Sequence, residues 1–481
     1  MSFNILKTGA SALTAAQRAV ETAAHNAANS TSPGYTRQRV TTGATVPTQG
    51  IDGVPGTGHR GTGVEVLSIE RMRDVLGDLA VRAEEGAAGA AQVRAEVLDR
   101  AQGILGVYGS GVSESLSKMF AAFDQLALSP STPAARQIVL EQAQSFANGL
   151  NEAASTLDRI RSDASAQAGA EATQVNDLAA EVANLNKHIV AALNGGQSPN
   201  DLLDRRDLLI DDLSRLTGAT VRQQEDGAID VRVGGLILVQ GATAIPVELK
   251  RPEGSIELAL LMQGQPVKPG GQIGARLEVL AKDLRTIEAQ LDDVAEAVAQ
   301  GVNEVHRAGY YADGRSGQSF FAGHPTPDVI TAANLRLDPS LTVDRLAVAV
   351  VGEPGSGEAT TFSPLNGENA LKLADLRRTG IGLAQTVGGR EVTVTSTPAE
   401  WLNRVTSTLA SGASAALAAA ETTEISVTSL RAQRESANGV SIDEEMIELV
   451  KFQHSYDAAA RVISIADEML NTLINGMGAG R

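Results

Sequence analysis

The chain has 481 residues, beyond the ~250–300 at which a single hydrophobic core stops growing, so two to four domains are expected. Its formal net charge of −17 leaves no excess of Lys or Arg to neutralise phosphates, which argues against nucleic acid and anionic membrane surfaces as partners and makes solubility the plain reading of the acidity. With no cysteine there are no disulfides, thiolate metal sites or Cys nucleophiles, and with only 3% aromatic residues and abundant alanine, burial must come from closely packed small helical residues.

Met1 to Gly9 carries one Lys and no apolar run long enough for a secretory leader, and no stretch approaches the ~18 apolar residues of a membrane span. Phe3, Leu6, Ala10, Leu13, Val20, Ala24 and Ala27 recur at spacings of three and four, with Gln17 the one polar interruption. This predicts an opening helix with a coiled-coil-like seam. Ser30 to Gly34 (STSPG) ends it, because Pro33 cannot continue a helix and Gly34 permits a turn. The stretch through about Gly63 is rich in Gly, Thr and Pro and reads as loop or extended chain, while Val64 to Ile69 alternates weakly and fits a strand or an extended lead-in. From Arg71 to about Gly218 the pattern is helical, with breaks expected at Gly103 to Gly111 and at Ser129 to Pro133.

Ala219 to Gly271 changes character: it alternates, is β-branched and is punctuated by Asp226-Gly227 and Gly234-Gly235, so a small β module is expected there. Ile273 to Arg307 returns to helix, with Leu277, Leu280, Leu284, Ile287, Leu291, Val294 and Val298 on one stripe, expected to pack beside the first helical block. Ala322 to Pro398 is mixed and reads as an inserted surface domain; Glu400 to Arg434 is again Ala-rich helix. The last segment carries two stripes. One holds Ile442, Met446, Leu449, Tyr456, Ala460, Ile463, Leu470 and Ile474, interrupted by Gln453 and Asp467; the other holds Phe452, Ala459, Val462, Ala466, Met469 and Leu473. Two stripes imply more than one packing partner. Ser441 with Glu444 offers a capping box at its start and Gly476 a stop. Amphipathic helices at both ends, with alternating helix and β between them, suggest a rod in which the chain runs out and returns.

Enzymatic signals are weak. Gly56 to Gly61 matches GxGxxG literally, but it follows a Pro-rich loop and precedes VEVLSI, whereas a dinucleotide fingerprint follows a buried strand and opens a helix. His25, His59, His188, His306, His324 and His454 show no metal-ligand spacing, and His25 and His454 read as interface residues. No GxSxG elbow occurs. The acidic run Asp201, Asp204, Asp207, Asp211 and Asp212, interleaved with Arg205 and Arg206, reads as a solvated helix face. No catalytic residue, cofactor or metal is assigned.

Asn26 to Arg37 (NAANSTSPGYTR) resembles the signature Asn-x-x-Asn-x-x-Thr-Pro-Gly-Tyr-x-Arg shared by flagellar rod, hook and hook-associated proteins, with Ser32 in place of the usual Thr. Ser441 to Met469 resembles the matching C-terminal signature, with His454 where Gln or Arg is more usual. Gly61 to Met72 and Val302 to Phe321 resemble the hook-filament junction (FlgK) family in particular, as does the long helical block between the ends; Ala322 to Pro398 contributes nothing to the resemblance.

The resemblance implies a mainly α fold with β modules: an elongated rod whose paired, coiled-coil-like terminal helices (1–35 with 436–481) form an assembly domain. A helical rod domain follows (36–218 with 272–321 and 399–435), and then β-rich outer modules at 219–271 and 322–398. It implies a structural subunit and not an enzyme, self-associating in a ring or helical lattice. Its implied partners are hook protein, neighbouring hook-associated or filament proteins, the flagellar export apparatus and an export chaperone. Its implied place is extracellular, at the flagellum, reached without a cleaved signal. The assembly interface is assigned to Phe3, Leu6, Leu13 and Val20 with Ile442, Met446, Leu449, Phe452, Tyr456, Ile463 and Leu470. Asn29, Pro33, Gly34 and Tyr35 are assigned to the turn that leaves the first helix. The rival readings are another axial subunit (hook, rod or flagellin-like) and a secreted coiled-coil effector or enzyme.

Overall fold

The computed structural model describes residues 2–46, 61–253, 255, 257–327, 329–350, 366–387 and 390–478. The chain opens with α1 (Ser2–Ala28), and β1 (Gln38–Ala44) pairs antiparallel with β2 (Val64–Arg71), so the stretch expected as loop or extended chain contains a strand. Its Thr and Val residues suit a half-buried ribbon, and the ladder carries a register shift between Thr41 and Thr42. The hairpin lies against α1: the Val64 amide donates to Ser11 Oγ at 3.3 Å. Of the GxGxxG match, only Gly61 falls among the described residues.

Two long helices follow, α2 (Val75–Leu128) and α3 (Pro133–Asn194), of 54 and 62 residues, or roughly 80 and 90 Å at 1.5 Å per residue. The expected break at Ser129 to Pro133 is present, with Pro133 at the first position of α3, where its missing N–H costs nothing. The expected break at Gly103 to Gly111 is absent: α2 runs through it. Leu98, Ala101, Val112 and Leu116 are all buried in one core, and packing on both sides holds the helix against the ~1 kcal/mol that each glycine costs. A further break at Gly195 and Gly196 separates α3 from α4 (Asn200–Thr217).

The β module is present as expected, with two antiparallel sheets. The first holds β3 (Thr220–Gln223), β4 (Ile229–Val233), β5 (Leu236–Gln240) and β6 (Thr243–Ala244); the second holds β7 (Val247–Lys250), β8 (Ala259–Met262) and β9 (Gln265–Val267). Gly234 and Gly235, both at positive φ, close the tight turn between β4 and β5. The module does not have a core of its own. Val231, Val233, Leu238 and Val267 pack with Val175, Ala179 and Val182 of α3 and with Ile210 and Leu213 of α4.

The next helical stretch is α5 (Gly271–Glu278), one π turn over Val279–Asp283, and α6 (Leu284–Ala308), with Leu284, Ile287, Leu291, Val294 and Val298 buried as the stripe predicts. The short pair β10 (Phe321–Ala322) and β11 (Arg336–Leu337), helix α7 (Glu368–Asp375) and hairpin β12 (Ile381–Val387) with β13 (Arg390–Ser396) occupy the region expected as an inserted domain. Here the core corrects the expected boundary. Ala332, Leu335, Leu346, Val348, Leu373 and Leu383 lie in the same cluster as Phe123, Phe146 and Val298 of the helices, so no separate core begins near residue 322.

The chain returns along α8 (Pro398–Asn438), opened by a full capping box between Thr397 and Glu400, and ends in α9 (Ile442–Gly478), which packs on α1. The Glu444 amide donates to Ser441 Oγ at 3.5 Å, one half of the expected capping box, while the Glu444 carboxylate accepts from Arg37 Nη1 at 2.9 Å, and the helix continues two residues past Gly476. No helix among the described residues is long and apolar enough to cross a membrane.

Candidate assembly interface

At the end of α1 the chain makes a turn whose geometry depends on individual residues. Asn29 Nδ2 donates to the His25 carbonyl at 3.0 Å and Ser32 Oγ donates to Asn29 Oδ1 at 3.3 Å, satisfying the helix end. Gly34 has φ +73°, and a Cβ there would stand 2.5 Å from Leu208 on α4, so both backbone and space demand glycine. Pro33 is exposed and Tyr35 half-buried. The Tyr35 hydroxyl donates to Asn26 Oδ1 at 2.8 Å, and with that proton committed its oxygen accepts from His25 Nδ1 at 2.9 Å. Burial, aided by the carboxylates of Asp201, Asp204 and Glu445, pushes the phenol pKa upward, so it stays a neutral donor.

Asn26 is the hub. Only 1% exposed, it uses its side-chain amide as a strand would: Oδ1 accepts from the Gln38 amide at 3.0 Å and Nδ2 donates to the Gln38 carbonyl at 2.8 Å. Nδ2 also donates to Glu445 Oε2 at 3.0 Å, and Arg37 Nε donates to Glu445 Oε1 at 2.6 Å. The Arg37 backbone donates to the Asn438 carbonyl and accepts from the Met72 amide. Four segments therefore meet here: the end of α1, the start of β1, the junction after β2 and the α8–α9 connection.

Beside this hub the acidic run of α4 departs from the solvated face expected of it. Asp204, Asp207 and Asp211 side chains are 8%, 17% and 13% exposed and are paired. Arg71 reaches Asp204 and Asp207, Arg82 reaches Asp207 and Asp211, Arg73 reaches Asp78 and Asp207, and Arg434 of α8 reaches Asp211. Asp201 and Asp212 do remain solvated. Burial opposes charge on Asp207, but Arg73, Arg71 and Arg82 outweigh it and its pKa falls. At Asp204 burial prevails over Arg71 and the Thr36 amide, and the pKa rises. The period-three-to-four spacing of acids was visible in the sequence, but their partners lie more than a hundred residues away. Among the described residues no group could hold a metal ion.

The residues assigned to assembly divide into two sets. Leu6, Leu13, Val20, Leu449, Phe452, Ile463 and Leu470 are half-buried on the terminal helices. Ile442, Met446 and Tyr456 are exposed, together with Ile447, Val450, Val462, Ile465 and Met469, each between 39% and 67% accessible. The side chain of Phe3 lies outside the described residues. At 100° per residue the exposed set is spread around the circumference left free by α1, the pattern of a helix built to be covered on more than one side. Asn26, Arg37 and Glu445, which bind the pair to the hairpin, were not among the assigned residues. His454 is exposed on α9, whereas His306 is a core residue: Nδ1 donates to the Gln318 carbonyl, Nε2 accepts the Ala347 amide, and burial pushes its pKa down to about 4.

Residues 98–321 match the family model described as the flagellar hook-associated protein FlgK helical domain, and residues 432–476 match the C-terminal model of the flagellar basal body rod FlgEFG proteins. Flagellar hook-associated protein 1 of Bacillus subtilis (strain 168) is 29% identical over 525 aligned residues, covering 100% of this chain and 99% of that protein. Its counterpart in Escherichia coli (strain K12) is 25% identical, covering 98% and 99%. Among solved structures, the flagellar hook junction protein FlgK from Burkholderia pseudomallei shares the fold at a TM-score of 0.63 and 16% identity, covering 76% of this chain and 100% of that one.

Proposed function

We infer, from the likeness of this chain to the FlgK family of flagellar hook-associated proteins, that it is a structural subunit of the flagellum that forms the junction between hook and filament. The observation that carries the mechanism is the ring of exposed apolar side chains on α9, Ile442, Met446, Ile447, Val450, Tyr456, Val462, Ile465 and Met469, beside a helix pair already tied to the rod. A monomer leaves them in water; a lattice of neighbouring terminal helices covers them, at ~1.5–3 kcal/mol for each large side chain fully buried. The role is therefore mechanical. The terminal pairs join a lattice with hook protein on one side, and the rod and β module stand outward as a platform for neighbouring hook-associated or filament proteins. The chain reaches the extracellular flagellum through the flagellar export apparatus without a cleaved signal, escorted by an export chaperone.

The test is assembly on isolated hooks. The purified chain is expected at the distal hook end by immunoelectron microscopy. Ile465→Asp, on the outer side of α9, should leave a folded, soluble chain that no longer adds. Normal addition of that variant would remove the outer surface of α9 from the interface.

A further inference from the structure

Among the described residues, every buried apolar side chain of the terminal pair is an alanine: Ala15, Ala16, Ala19 and Ala23 on α1, Ala459 and Ala466 on α9. Methyl groups bring two helices close but discriminate poorly between registers, because sliding one helix by a turn sets one alanine where another stood. Glycine at position 9 gives room for Ile463, whose Cγ1 would stand 2.8 Å from an added Cβ. Room permits that contact without requiring it.

Glu445 is different in kind. It is 3% exposed, the one charged residue of α9 to be so buried among the described residues, and both its oxygens are used, by Asn26 at 3.0 Å and by Arg37 at 2.6 Å. Moving α9 by one turn takes the carboxylate from both donors and leaves it and the Asn26 amide buried without partners, an error of a size that no exchange of alanines incurs. A single buried polar pair is the device by which coiled helices fix register. We propose that Glu445 is the register key of the terminal pair, a positioning residue that acts through Asn26 and Arg37. Because the Arg37 backbone is held by Asn438 and Met72, the same contact fixes which way the outer side chains of α9 point relative to the rod. That consequence for assembly rests on the function inferred above; the register itself does not.

The chain has no cysteine, so Lys7→Cys and His454→Cys place spin labels at two exposed positions only, one on each helix. In the labelled full-length chain, pulsed electron-electron resonance should give one narrow distance distribution. Adding Glu445→Ala should introduce a second population displaced by about 5 Å, one helical turn, with helix content by circular dichroism unchanged. Glu445→Gln, which keeps an acceptor and loses the charge, should displace a smaller fraction. The proposal is overturned by an unchanged narrow distribution in Glu445→Ala, by a distribution already broad with Glu445 in place, or by loss of helix content without a displaced population. Failure of the unaltered chain to add to hooks would overturn the functional reading and leave these distances as they are.

Discussion

The rod bundle and the terminal pair are both antiparallel helical assemblies of an alanine-rich chain, yet they bury very different things. The bundle encloses Trp401, Phe123, Phe146, Phe320, Phe321, Met119 and Leu150, each under 2% exposed. The pair buries alanines and one ion-paired hub, and leaves its larger apolar side chains half or wholly in water. Stability in the first is internal to the chain. In the second much of it waits for neighbours, so one sequence contains a finished domain and an unfinished one.

The only tryptophan, Trp401, lies in the rod core, so its fluorescence reads the rod while far-ultraviolet circular dichroism reads every helix. In denaturant the dichroism of the monomer should begin to fall before the fluorescence moves; coincident transitions would break the comparison. Phe123→Ala should have the largest effect on stability, lowering that of the rod by ~3–5 kcal/mol through lost burial and a cavity, read as a shift of the fluorescence midpoint. The next is a pH effect through His306. The unfolded imidazole titrates near 6.5 and the folded one near 4, so between those values the unfolded state binds more protons. Rod stability should therefore fall as pH drops from 6.5 towards 4, by up to ~1.4 kcal/mol per unit, and His306→Gln should flatten that slope.

Smaller again is Gly169→Ala in α3. Nothing stands within 4 Å of an added Cβ, so the change should raise rod stability by about 0.5–1 kcal/mol through helix propensity, seen as a higher fluorescence midpoint. Smallest is Ile465→Asp, expected within ±0.5 kcal/mol of the unaltered monomer despite its loss of assembly. A large destabilisation there would mean that the outer surface of α9 is already packed in the free chain, and the contrast between the two regions would fail.

The helices were legible because periodicity of three and four survives in any chain that packs helices, as the stripe from Leu284 to Val298 demonstrates. The β module was legible from its glycine-punctuated alternation. What escaped has a common cause, distance along the chain. β1 has no alternation strong enough to announce a strand, and it is made one by β2, which lies beyond a long connection. The acids of α4 are solvated or paired depending on Arg71, Arg73, Arg82 and Arg434, which no local pattern connects to them. Glu445 sat beside Glu444 in an acidic helix start, and only the fold distinguishes the exposed residue from the buried one. Gly103 and Gly111 misled for the opposite reason, since local propensity was overruled by burial on either side of them.

One helix, α3, passes through both hydrophobic cores: its first half packs in the bundle with Phe146 and Leu150, its second in the β module with Val175 and Val182. The two bodies are thus threaded on one continuous length of hydrogen-bonded helical backbone. A twist applied to the outer module reaches the bundle as rotation of that helix, while the second link between the two cores, from α5 to α6, carries the π turn at Val279–Asp283.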